Sequence, residues 1–112
     1  MYYAMGVDVA RYGGNDSSIM VVKVFPKKDA WEKKVVYTEN LTKMSLPAQA
    51  ARIKVLNKLY KFKEIVVDGN GVGAGLVDEL VIPSYGPHGE ILEPLYVNND
   101  PDDYPVPRNC KE

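Results

Sequence analysis

The chain has 112 residues, 46% hydrophobic and 26% charged, with a formal net charge of −1. That length makes one domain with a modest core, and the near-neutral balance argues against strong non-specific nucleic-acid binding, which needs a local concentration of Lys and Arg. No apolar run approaches the roughly 20 residues of a membrane span.

The amino terminus, Met1-Tyr2-Tyr3-Ala4-Met5-Gly6, lacks the basic flank and apolar stretch of a secretory leader, so a cytoplasmic protein with no membrane partner is expected. A first strand runs from Tyr3 to Val9, because a short β-branched segment is followed at once by the turn-forming Arg11-Tyr12-Gly13-Gly14-Asn15-Asp16. Ser18 to Phe25 reads as a second strand, antiparallel to the first. After a lysine-rich turn over Pro26 to Glu32, Lys34 to Leu41 continues the meander.

Ser45 is an N-cap and Pro47 fits a first helical turn. Leu46, Ala50, Ile53, Leu56 and Tyr60 recur at helical spacing, which predicts a helix with its apolar stripe against the sheet, ending near Phe62. Glu64 to Val67 is a fourth strand that delivers Asp68. A glycine-rich turn through Gly69, Gly71, Gly73 and Gly75 then opens a short helix over Leu76 to Val81, stopped before Pro83. Ile91 to Val97 predicts a further short edge strand, while Asn98 to Glu112, with three prolines and no periodicity, reads as a tail or long loop.

This order gives a mixed α/β sheet, a three-strand antiparallel meander beside parallel strands joined through helices. A helical crossover would lay the Asp68 strand parallel to the first. Asp8 and Asp68 would then leave the same end of the sheet. Two adjacent carboxylates repel unless a cation or proton lies between them, so a shared divalent-metal site is expected. Magnesium or manganese suits such oxygen ligands, and a metal pair about 4 Å apart would stabilise both the attacking and leaving oxygens of phosphodiester hydrolysis.

The remaining candidates divide between chemistry and ordinary structure. Asp16 either bonds neighbouring turn amides or supports the metal from the turn above Asp8. Asp68 to Gly75 resembles a phosphate-cradling loop at a helix N-terminus, although glycines there also serve tight packing. No Gly-Lys-Ser/Thr ending occurs, so a nucleoside-triphosphatase motor is not encoded. His88 is one histidine in a turn, too little for zinc, and Cys110 is a lone thiol. Asp78 and Glu79 fall on a helix surface. The clusters Lys27, Lys28, Lys33, Lys34 and Lys54, Lys58, Lys61, Lys63 are read as solvated surface.

Taken together, GVDVARYGGNDSSIMVV and IVVDGNGVGAGLVDEL resemble the C-terminal nuclease domain of phage terminase large subunits, over residues 5 to about 81. The resemblance implies a ribonuclease H-like fold over residues 1–97, followed by a proline-rich acidic tail over 98–112. It implies an endonuclease, a hydrolase that cleaves concatemeric double-stranded DNA during genome packaging with two magnesium or manganese ions. Asp8 and Asp68 would be catalytic metal ligands and Asp16 a further acid near the metals. The packaging ATPase domain, the small terminase subunit and the portal would be its partners in a bacterial host.

The family's third carboxylate lies on a later helix that has no counterpart in this sequence, and Asp100, Asp102 and Asp103 do not replace it. A C-terminally truncated fragment of phage or prophage origin, weak or inactive by itself, is therefore the expectation. Three other readings stand beside it: an actin-like or sugar-kinase-like ATP-binding fragment with hydroxyls from Ser17 and Ser18, a Holliday-junction resolvase, and a degenerate, non-catalytic interaction domain of the same fold.

Overall fold

In the computed structural model, alternation of apolar and small or polar residues organises the first strand, β1 (Tyr2–Asp8). Met5 and Val7 are buried on one face and Asp8 is exposed on the other. The structure describes residues 1–9, 17–68, 72–95 and 110–111.

The meander is longer than the sequence suggests, with β2 (Ser17–Lys27) and β3 (Ala30–Leu41) joined by a two-residue turn, Lys28-Asp29. Lys28 supplies the positive φ, 51°, that such a turn needs. The expected turn over Pro26 to Glu32 is thus largely strand. Pro26 is tolerated because β1 reaches only to Val24, leaving β2 paired on one side at Pro26. Val21 faces Tyr37 and Val22 faces Val35, so Val36 is the extra residue of a β-bulge.

The first helix, α1 (Leu46–Tyr60), matches its sequence signals closely. Ser45 caps it, its hydroxyl accepting from the Ala48 amide at 3.3 Å. Lys61 ends it in the left-handed region with φ 55° and donates its N–H to the Asn57 carbonyl at 2.8 Å. Ala50, Ile53 and Leu56 are buried, and Leu46 and Tyr60 pack at the margin of the core. Full burial of a side chain such as Ile53 contributes about 1.5–3 kcal/mol, which anchors the helix across the strands.

The chain then enters β4 (Glu64–Asp68), parallel to β1, with Ile65 and Val67 on the buried face. The second helix, α2 (Val72–Leu80), begins four residues earlier than expected, so Gly73 and Gly75 belong to the helix rather than to a loop. A Cβ on Gly75 would lie 3.0 Å from Leu46 Cδ1. Close approach of α2 to α1 therefore accounts for this glycine.

Ile91 does not extend the main sheet. β5 (Ser84–Tyr85) and β6 (Ile91–Leu92) form a separate two-stranded ribbon, turned through Gly89 at φ 79°. Finally β7 (Cys110–Lys111) pairs parallel with β4 at the outer edge of the sheet, within the segment that shows no strand pattern in the sequence.

The protein is therefore a mixed α/β fold. Its sheet runs β3-β2-β1-β4, with the two-residue β7 beyond. Met5, Val7, Ile19, Val21, Ile65 and Val67 meet α1 and α2 in one core, so both helices cover the same face. Among the described residues no helix covers the other face, where Met20 is 46% and Val66 40% exposed. No described helix is long and apolar enough to cross a membrane.

Candidate functional site

The candidate site stands at the end of this open face. In the parallel pairing of β1 with β4, Asp8 and Asp68 are direct register partners. The helical crossover through α1 brings β4 alongside β1, and equal strand phase puts the two positions in one row. Asp8 is exposed, so its carboxylate is available to a ligand in solvent.

The row extends across the meander. Asp8 is the partner of Ser18 on β2, and Ser18 in turn is the partner of Asn40 on β3. Oxygen-bearing residues thus occupy one register position on four adjacent strands: Asn40, Ser18, Asp8 and Asp68. The sequence reading did not select Asn40 and gave Ser18 only a nucleotide-binding role. Strand parity contains the signal, because Ser18 and Asn40 alternate with the buried Ile19 and Leu41 and so fall on the phase of β2 and β3 that faces away from the helices.

Asn40 is steadied from the helical side of the sheet. Its neighbour Glu39 accepts from Arg52 of α1 through Nε at 2.9 and 3.1 Å and through a terminal nitrogen at 2.7 Å. Tyr37 donates its hydroxyl to the same carboxylate at 2.5 Å. The Arg52 hydrogen bonds hold the Glu39 carboxyl below its ordinary range, against the opposing effect of burial, with Tyr37 assisting. This bidentate pair fastens the end of β3 to α1, next to the position at which Asn40 enters the row.

Other candidates lie elsewhere. Asp16 and residues 69–71 fall outside the described residues. Asp78 is exposed and Glu79 half-buried on α2, as expected of a helix surface. His88 is exposed in the ribbon turn, where its backbone N–H donates to Glu90 Oε2 at 2.9 Å. Among the described residues, no group of three or more acids, histidines or cysteines is placed to hold a metal ion.

A buried cation that sequence reasoning assigned to the surface is Lys54. Only 3% exposed, it donates to the Ile82 carbonyl and, at 2.7 Å, to Ser84 Oγ. Burial pushes its pKa down, partly opposed by Glu79 and Glu93. Its work is to clamp the start of the β5–β6 ribbon to α1, on the face opposite the aspartate row.

Comparison of the chain with protein-family models, with curated proteins and with solved structures finds no match.

Proposed function

We propose that this chain is a metal-dependent nuclease domain of the terminase type, ribonuclease H-like in fold, acting on double-stranded DNA. The observation that carries the reading is the register pairing of Asp8 with Asp68 at one end of a parallel strand pair. The sheet order β3-β2-β1-β4, with β2 antiparallel and α1 as the crossover, supports the ribonuclease H-like assignment.

The donor set fits a hard divalent cation. Two carboxylate-bearing positions adjoin, the neighbouring row members carry only oxygen or amide groups, and no described histidine or cysteine draws the site toward zinc. Asp8 and Asp68 would hold magnesium or manganese, which when bound supplies charge stabilisation to the oxygens of a reacting phosphodiester. Ser18 and Asn40 extend the row with neutral donors suited to phosphate oxygens, which orient a DNA backbone without adding negative charge. The open face admits the bulky substrate from one side, while the core behind it keeps the strand ends in register.

Manganese titration followed by electron paramagnetic resonance tests the metal site, and a plasmid-cleavage assay with magnesium or manganese tests the chemistry. The expected result is manganese binding that Asp8→Asn and Asp68→Asn each weaken about tenfold or more, with cleavage by the chain alone weak or absent and any residual cleavage abolished by either substitution and by chelation. Unaltered binding in both variants, or cleavage that survives both, sinks the proposal. Tight ATP binding without DNA binding would favour the ATP-binding reading instead.

A further inference from the structure

The opposite end of the sheet carries a second set of features that the nuclease reading does not use. Trp31, at the start of β3, is 61% exposed, and its ring centroid lies 6.0 Å from that of Tyr2 at an interplanar angle of 47°. Lys63 Nζ stands 4.6 Å from the centroid of the Tyr2 ring. Beside this cluster the open face forms a groove of about 260 Å³, with Tyr2, Gly6, Val22, Lys33 and Val66 among its lining.

Charge is concentrated there too. The β2–β3 hairpin and the α1–β4 junction present Lys27, Lys28, Lys33, Lys34, Lys61 and Lys63, all exposed, against Asp29, Glu32 and Glu64. A chain of net charge −1 therefore has a locally positive pole. The Lys27–Glu32 pair, at 3.7 Å between exposed side chains, neutralises little of it.

An exposed indole, an apolar groove floor and surrounding ammonium groups match one ligand chemistry. Unpaired nucleobases offer flat faces for stacking, and their backbone phosphates meet the lysines. A duplex keeps its base faces stacked internally and would leave Trp31 idle.

We propose that the Tyr2–Trp31 end of the sheet binds an unpaired nucleic-acid strand, with a base on Trp31 and adjoining phosphates on Lys33 and Lys63. Asp8 lies six residues along β1 from Tyr2, or roughly 20 Å at strand rise. The two sites share the open face, but this one does not rest on the nuclease reading.

Trp31 is the chain's single tryptophan, so its emission reports this site alone. Titration of the full chain with oligothymidylate, at low salt and with chelator present to suppress metal-dependent steps, is the test. Saturable quenching that weakens as salt rises is expected. By anisotropy of the labelled oligomer, Trp31→Ala should bind about tenfold more weakly and Trp31→Phe should retain most affinity, while a duplex of equal length should leave Trp31 emission nearly unchanged. The far-ultraviolet circular dichroism of each variant should match that of the parent, since Trp31 is mostly solvent-exposed. Absence of quenching by oligothymidylate, equal quenching of Trp31 by the duplex, or a Trp31→Ala variant that binds like the parent overturns the proposal. So does an emission shift that depends on protein concentration alone, which would mean that a second copy covers the face.

Discussion

Replacing Lys54 with methionine isolates the energetics of the clamp between α1 and the ribbon. Methionine keeps most of the side-chain volume but removes the donor to the Ile82 carbonyl and to Ser84 Oγ. The Ser84 hydroxyl is in a buried residue, and stranding it costs about 1–2 kcal/mol. Ile82 is 48% exposed, so water can reach its carbonyl and the loss there is smaller, about 0.5–1 kcal/mol. Relief from burying an ammonium group offsets part of this. Lys54→Met should therefore destabilise by about 1–2 kcal/mol, a fall of roughly 4–16 °C in melting temperature for a domain of this size.

Chemical and thermal unfolding, followed by circular dichroism, measure that change. Adding Ser84→Ala should return part of the loss, because the stranded hydroxyl goes with its partner. Alkaline pH supplies a second check. Burial lowers the Lys54 pKa in the folded protein, so between that value and the unfolded value near 10.5 the unfolded chain binds more protons. Its contribution therefore makes stability rise with pH across that window, and the neutral amine still has two N–H donors for its two acceptors. The contribution should vanish in Lys54→Met. A variant as stable as the parent, with the same alkaline profile, would refute the clamp.

Glu39→Gln should cost about 1 kcal/mol, since the pair with Arg52 is partly solvent-screened, with side chains 35% and 20% exposed. Because the Glu39 carboxyl is held below its ordinary 4.5, its stabilisation is complete above that value and is lost as pH falls through the lower folded pKa. Acid-unfolding curves of parent and variant should converge there. Ile53→Ala should destabilise by about 3 kcal/mol and Ile53→Val by about 1, read from denaturant midpoints, because Ile53 is fully buried where α1 crosses the sheet. A loss under 1 kcal/mol for the alanine variant would mean that α1 is not held by this stripe.

Local signals carried the elements whose causes are local. Ser45, Pro47 and the stripe from Leu46 to Tyr60 specify α1 because capping and periodicity act within a few residues. The failures have non-local causes. Pro26 breaks strands in general, yet stands in β2 because β1 ends before reaching it. Gly73 and Gly75 suggested a loop, but the space Gly75 leaves is filled by Leu46, nearly thirty positions away. Ile91 to Val97 has strand composition, and only the nearby Ser84-Tyr85 decided that Ile91-Leu92 would pair in a ribbon.

The candidate site divides in the same way. Sequence alone determined that Asp8 and Asp68 end short apolar strands, because β-branched patterning is a property of the local chain. Tertiary structure decided that the two positions are register partners, that Ser18 and Asn40 complete their row, and that Lys54 is a buried clamp rather than surface charge. Register and burial depend on which strand lies beside which and on what a helix covers. Those relations come from burying one shared core, and no window of neighbouring residues contains them.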